Sequence, residues 1–595
     1  MINYDEKLSE EQLQICRSES NLLVKACPGS GKTRTITYKL AYRVEKNPSS
    51  IKKLIAITYT NRAADEITQR VEDLGIDTER IWAGTIHQFC LEWILKRYKM
   101  YTKSLNQGFK IIDERVQERY WTEIIKQSQS KLYWRDINTS YNRQLHLVEQ
   151  DEKKRKMIGQ YHKILQKNRE LDFEQILVTS YNILKQHTFI ASDIKNCVEL
   201  ICVDEYQDTQ DLQYAILEEI SNSNERDGLQ INFFGDPNQA IYGSLGGIAK
   251  DLVTINNEFK NIVFEETTLS GCYRSTKRVI DFYKGFMVNE YPIEAKGQVA
   301  DNKGIIKYNY QISCDDIYDC IAKIIEENIQ EGVPEKEICV LAPVWDLLYP
   351  FSKELQDRLP NVKFDAPDIT PIKRDPMNVF YKIARLLLTE PSVKKISYRK
   401  KLANEILDEM SSYKGRKLEL EDMDLLNIII RSKSDTKMGS EFVKNGIDKI
   451  LDIIQCSKED IPDLDKMYND FFEKMNSRLN NPRYQLTDDL NTFKKMFREK
   501  EGVVINTCHG EKGEEYQTVI AFGLVYGKLP SIHTDPTKMN EEANKLLYVI
   551  ASRAKSRLYL FSEKGRVYWD KGVRQHVDAF PTRQLFLNKN VEYDV

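Results

Sequence analysis

Short apolar runs rich in β-branched residues alternate with helical stretches at both ends of the chain. The earlier part carries them at Leu22–Val24, Leu54–Thr60, Leu200–Glu205, Ile231–Asp236 and Ile262–Phe264. The later part carries them at Ile305–Tyr310, Ile338–Pro343, Val503–His509, Val519–Leu524 and Leu558–Phe561. Strands alternating with helices imply parallel sheets, and two separated sets predict two α/β domains. Two stretches between them differ in character. Residues from about 95 to 185 are polar, rich in Lys, Gln, Tyr and Trp, and mostly helical in pattern. Residues from about 377 to 500 space Ile406-Leu407, Leu425-Leu426-Ile428-Ile429 and Ile447-Ile450-Leu451-Ile453-Ile454 like helix faces. Each reads as a helical insertion into one α/β domain.

Composition changes this picture in three places. A chain of 595 residues is too long for one core and predicts roughly three to five domains. Its 87 Lys+Arg against 90 Asp+Glu leave a net charge of −3, so any nucleic-acid site must be a local groove and not a global basic field. No apolar run approaches the roughly 18 to 20 residues of a membrane span, and the acidic, polar start MINYDEKLSEEQ is not a signal peptide. The 11 cysteines are scattered without a C-x-x-C pair, as small core hydrophobes in a reducing compartment would be. A soluble, cytoplasmic protein with no membrane partner is expected.

The chemistry starts at Asn21–Val44. After the apolar Leu22–Val24 comes a loop of small residues, Ala26, Cys27, Pro28, Gly29, Ser30 and Gly31, then Lys32, Thr33 and Arg34, then Ile36, Leu40, Ala41 and Val44 at helical spacing. Strand, Gly-rich loop and helix form the context of a phosphate-binding loop, although Ala26 stands where the general pattern has Gly. Glycines let backbone N–H groups approach a phosphate, and the helix start adds its positive end. Lys32 would reach the β/γ phosphates of ATP, and the Thr33 hydroxyl would hold Mg²⁺. A second apolar run ends in Asp204-Glu205. Asp204 would coordinate the Mg²⁺, and Glu205 would orient and deprotonate the attacking water. After the run at Ile231 comes Gly235-Asp236-Pro237-Asn238-Gln239, where Gln239 can sense the γ-phosphate.

Several motifs then fall in the order and spacing of the superfamily 1 DNA helicases of the UvrD/Rep/PcrA type, and the chain resembles that family. The carriers are Leu8–Gln12, Thr58–Ala64, Gly84–Phe89, Leu269 with Tyr273–Thr276, Thr507–Tyr516 and Leu547–Lys555. The resemblance implies two RecA-like parallel-sheet domains, each with a mainly helical insertion. Residues 1–94 and 186–277 would form the ATP-binding domain and 95–185 its insertion. Residues 278–376 and 502–595 would form the second domain and 377–501 its insertion. It also implies that Arg274 and Arg553 sit on the second α/β domain and reach the γ-phosphate as arginine fingers. Tyr273 would stack on adenine, Gln12 would read its edge, and Glu515 would approach the ribose. Tyr59, Thr60, Asn61, His87, Tyr242, Thr507 and His509 match positions facing single-stranded DNA.

The activity implied is an ATP-dependent single-stranded DNA translocase or 3′–5′ helicase acting on single strands and tailed duplexes. Three positions depart from the family pattern: Ser244 replaces an aromatic that stacks a base, Cys272 replaces Asn, and Lys545 replaces Arg. One lost stack would cost roughly 1 to 3 kcal/mol of grip on the strand. The second insertion, bracketed by Asp375-Pro376 and Glu501-Gly502, is also shorter than usual. These departures keep an alternative open: a helicase-like ATPase subunit that senses DNA or nucleotide and controls a partner nuclease in antiviral defence.

Overall fold

The computed structural model describes residues 2–103, 105–112, 114–130, 132–223, 228–243, 246–365, 370–373, 375, 378–391, 396–482, 484, 486–494, 496–497, 502–532, 534–570, 575–588 and 592–593. Ser244, Pro376 and Glu501 lie outside the described residues. The chain divides into two compact units: Met1–Arg274 with Met287–Ala300, and Ser275–Phe286 with Asp301–Val595.

The first unit is built on strands β1 Asn21–Ala26, β2 Lys53–Thr58, β3 Ile81–Thr85, β4 Val198–Asp204, β5 Gln230–Gly235 and β6 Phe264–Leu269. They form one sheet in the order β3-β2-β4-β5-β1-β6, and every pair is parallel. Helices cover both faces, so the inner strands are buried over most of their length, which is why they read as apolar runs. The edges read differently. At β6 the segment Glu265-Glu266 faces solvent and only Phe264 and Leu269 are buried, so the apolar run at Ile262 marks just its first residue. Strand β3 is only partly buried, and its apolar run is confined to Ile81-Trp82-Ala83.

The second unit repeats the scheme with β7 Ile305–Asn309, β8 Ile338–Ala342, β9 Phe364–Asp365, β10 Val503–Thr507, β11 Tyr516–Ala521, β12 Ala554–Phe561 and β13 Glu592–Tyr593. The order is β9-β10-β8-β11-β12-β7-β13, again all parallel. The alternation of strands and helices therefore predicted the α/β class and its two sheets correctly.

Each unit also carries a helical core separate from its sheet. In the first, helices Glu114–Gln127 and Glu152–Asn168 close over Trp121, Ile124, Ile158, Tyr161 and Leu165. Trp121 stacks on Tyr161 with ring centroids 4.6 Å apart. Helix Phe173–Gln186, by contrast, buries Leu177, Tyr181 and Leu184 in the core of the sheet itself. In the second unit, five helices from Val379–Leu388 to Pro462–Leu479 pack Phe380, Leu387, Ile406, Ile429, Ile447 and Phe472 together. No helix among the described residues is long and apolar enough to cross a membrane.

Trp121 is 1% exposed, so Trp121→Ala should cost about 3 to 5 kcal/mol. Hydrogen exchange locates that loss. Amides of Glu114–Gln127 and Glu152–Asn168 should exchange at least about tenfold faster while those of β4 and β5 keep their protection. Equal loosening of the sheet would show that the two cores are not separate.

Candidate functional site

In a parallel sheet the carboxyl ends of all strands open on one side, and ligands bind there. The register sets Val24, Phe234 and Asp204 level on β1, β5 and β4. The loop after β1, the carboxylates after β4 and the turn after β5 therefore leave the sheet side by side.

The loop after β1 turns through Gly29 at φ 74° and Gly31 at φ 76°, left-handed values that favour glycine. A Cβ on Gly29 would lie 2.4 Å from Arg274 Cβ, and one on Gly31 would lie 2.6 Å from Gln12 Nε2. Helix Lys32–Lys46 starts directly after this loop. The buried Ser30 hydroxyl has no hydrogen-bond partner among the described residues, so the loop keeps a polar atom in reserve. Cys27 is tied to the next strand by its N–H to the Leu269 carbonyl at 3.1 Å. Burial pushes its thiol well above the ordinary value, which makes Cys27 a packing group.

Lys32 leaves the loop and meets both carboxylates. Its ammonium lies 3.1 Å from Asp204 Oδ1 and is hydrogen-bonded to Glu205 Oε1. Burial alone would lower its pKa, but Asp204 and Glu205 outweigh burial and hold it above the usual lysine value. Asp204 moves up too: burial comes first and the Glu205 charge adds to it, against Lys32. Glu205 is held at φ 55°, a left-handed conformation uncommon outside glycine, which turns its side chain back toward Lys32. Two carboxylates against one ammonium leave the pocket short of positive charge. Hard oxygen donors in an electronegative pocket beside a glycine-rich loop have the chemistry that suits a divalent cation such as Mg²⁺.

The line of hydrogen bonds continues. Gln207 Nε2 donates to Glu205 Oε2, and Gln207 Oε1 accepts the Asp236 N–H at 3.1 Å. Asp236 Oδ2 then accepts Gln239 Nε2 at 3.0 Å. Gln207 and Asp236 thus join the groups read from the sequence at Glu205 and Gln239. The sequence signal for Gln207 is only its place two residues after Glu205. The spatial reason is Gly235, where a Cβ would lie 2.1 Å from Gln207 Oε1.

Gln12 uses its side chain on the loop: Oε1 accepts the Ser9 N–H at 3.1 Å, and Nε2 donates to the Ser30 carbonyl at 2.8 Å. Arg34 donates to the Lys7 carbonyl at 2.7 Å and lies over the Tyr38 ring. Tyr273 is half-exposed, and its N–H donates to the Gly29 carbonyl at 2.9 Å. Arg274 lies in the first unit, inside the expected bound of 186–277, and not on the second domain where the resemblance put it as an arginine finger. It is the last residue before the chain crosses, and its Cβ packs against Gly29.

The residues expected to face DNA follow β2 and β3, whose ends are level at Thr58 and Thr85. Tyr59 is 43% exposed and stacks on Tyr242, with centroids 5.0 Å apart and planes 18° apart. Burial and the Asp208 charge push the Tyr59 phenol up to about 12. Thr60 caps helix Asn61–Asp73 by accepting the Ala63 N–H. His87 lies edge-on to Phe173 at 5.4 Å, and burial takes its imidazole down to about 4, so it is neutral at physiological pH. Phe173, exposed beside it, begins helix Phe173–Gln186.

The remaining candidates belong to the second unit. Thr507 ends β10, and its hydroxyl accepts the Gly510 N–H at 3.1 Å. Burial lowers His509, partly opposed by Glu542. Glu515 is half-exposed, 3.7 Å from Lys555. Arg553 is 1% exposed, and its guanidinium donates to the carbonyls of Val549 and Glu514 at 3.1 and 3.2 Å. It caps the end of helix Met539–Ala551, where a cation is favoured.

Residues 8–260 match the model of the UvrD/REP helicase N-terminal domain, and residues 392–565 match that of the UvrD-like helicase C-terminal domain. The chain is 26% identical over 632 residues to a probable DNA helicase II homolog of Mycoplasma capricolum, covering 94% of this chain and 84% of the relative. It is 23% identical over 638 residues to the ATP-dependent DNA helicase PcrA of Staphylococcus epidermidis, covering 95% and 84%.

The tight approach at Gly29 makes its side chain a direct probe of the loop. Gly29→Ala should weaken binding of a fluorescent ATP analogue at least about tenfold, since both the left-handed backbone and the Arg274 contact must give. Unchanged affinity would remove the loop from the nucleotide site.

Proposed function

The chain belongs to the UvrD/REP helicase family, and from that premise we propose that it moves along single-stranded DNA in the 3′-to-5′ direction and opens tailed duplexes as it goes. As a family member it is an ATP-dependent DNA helicase, a hydrolase built on RecA-like parallel-sheet domains. We take the first unit as the ATP-binding domain with its helical insertion, and the second unit as the partner domain with its own.

The observation that carries this reading is the Lys32 ammonium between Asp204 and Glu205 at the mouth of the glycine loop. ATP is the substrate. In our reading Lys32 turns from the carboxylates to the β/γ phosphates. Mg²⁺ would supply charge neutralisation at the phosphoryl oxygens, held by Thr33 and Asp204. Glu205 accepts a proton from the attacking water as the bond between the γ-phosphorus and the ADP oxygen breaks. Gln239 meets the terminal phosphate, and Arg274 and Arg553 add positive charge to it. Gln12, Arg34, Tyr273 and Glu515 hold the nucleoside.

For the strand, the stacked pair Tyr59 and Tyr242 offers an aromatic platform that tolerates any base. Thr60, Asn61, His87, Thr507 and His509 supply small polar contacts to the backbone. The chain's near-zero net charge makes this a groove of local contacts.

ATP turnover should rise several-fold with single-stranded DNA, and DNA binding should weaken as salt rises. Lys32→Ala should lower turnover by about 100-fold or more while leaving most DNA binding intact. Turnover indifferent to DNA would contradict the translocase reading. Full turnover in Lys32→Ala would contradict the assignment of the loop.

A further inference from the structure

The chain leaves the first unit after Arg274, forms helix Lys277–Lys284 of the second, and comes back to the first as Met287–Ala300. This returning strap is fastened at two places. At its start, Asn238 Oδ1 accepts the N–H groups of Val288 and Asn289 at 2.9 and 2.8 Å, and Asn238 Nδ2 donates to the Asn289 carbonyl at 2.9 Å. Near its end, Glu294–Ala295 pairs in parallel with Gly271–Cys272, directly behind the phosphate loop. Between these anchors the Tyr291 hydroxyl donates to Asp236 Oδ1 at 2.7 Å.

Asp236 is the node this hydroxyl reaches. Its carboxylate is buried, and both oxygens are engaged. Oδ1 accepts from Tyr291 and from the Asn238 N–H at 2.9 Å, while Oδ2 accepts from Gln239 Nε2. A carboxylate bonded at both oxygens cannot rotate about its own axis without breaking a bond, so the Tyr291 hydroxyl, together with the Asn238 N–H on the same oxygen, holds the plane in which Asp236 meets the Gln239 amide. The N–H of the same Asp236 donates to Gln207, which reaches Glu205. Three side-chain bonds of Asn238 fix the strap backbone two residues before Tyr291, and so fix where the hydroxyl is presented.

We infer that Tyr291 is a positioning residue for ATP hydrolysis: from the strap it holds Asp236, and through Asp236 it holds Gln239 in the orientation that the hydrolysis step uses. This rests on the reading of Gln239 as the group that meets the terminal phosphate. The Tyr291 bond is made to the turn after β5, so its effect is expected on turnover. The strap is continuous in sequence with the second unit on both sides, so the orientation of Gln239 is tied to the stretch of chain that joins the two units.

The test is steady-state ATP hydrolysis by the full chain with saturating oligo(dT), comparing wild type, Tyr291→Phe, Gln239→Ala and the double variant. Tyr291→Phe removes one hydroxyl and keeps the ring. It should lower kcat about five- to twenty-fold with KM for ATP unchanged within about twofold. The double variant should be no slower than Gln239→Ala alone, because both changes disable one unit. Unchanged kcat in Tyr291→Phe beside an impaired Gln239→Ala overturns the role of the strap. So does a double variant in which the two effects multiply, or an effect of Tyr291→Phe confined to KM. An unimpaired Gln239→Ala overturns the reading of Gln239 itself, and the inference with it.

Discussion

One ammonium held between two carboxylates organises the site. Lys32 comes from the loop after β1 and Asp204 and Glu205 from the end of β4, so their contact fixes one strand end against another. The pairing has a second consequence. A buried lysine alone would shed its proton, but the carboxylates keep Lys32 charged, and Lys32 in turn only partly offsets the repulsion between them. The pocket is therefore one positive charge short. Its composition matches an incoming anion that draws Lys32 away and a divalent cation that takes its place on Asp204. The same bonds define the charge change that nucleotide and metal would bring.

Around this contact the parallel sheet does most of the assembly. Because β4, β5 and β1 are neighbours and point the same way, three loops distant in sequence leave the sheet together. Gly235 lets Gln207 close on the turn after β5, and the bonds then run through Asp236 to Gln239. The turns after β2 and β3 leave along the same edge and carry Tyr59 and His87, so these rings and the glycine loop share one side of one sheet. The helical core of the first unit is closed by its own apolar contacts, apart from the core of the sheet.

Much of this was legible in the amino-acid sequence, and the exceptions have physical reasons. Strands buried on both faces show as apolar runs, so β1, β2, β4, β5 and most of the second sheet could be read directly. The edge strands β3 and β6 were harder to read, because fewer of their residues are buried and only short runs survive. Glycine loop and paired carboxylates were legible because their chemistry is local. Gln207 was not, since its partners Glu205 and Asp236 come together only when β4 and β5 align. Arg274, implied by the resemblance to sit on the second domain, ends the first unit instead, while Ser275, next in the chain, already bonds to the Ala554 carbonyl of the second. The strap Met287–Ala300 has no strong period of its own, and its place is set by side chains from elsewhere, above all Asn238.

The central claim is that ATP hydrolysis at Lys32, Asp204 and Glu205 moves the protein along a single strand with a fixed polarity. It is tested most directly by strand displacement on two otherwise identical duplexes, one with a 3′ single-stranded tail and one with a 5′ tail, with and without ATP. The account predicts ATP-dependent release of the displaced strand from the 3′-tailed duplex and little from the 5′-tailed one. Equal release from both, or release without ATP, would contradict it.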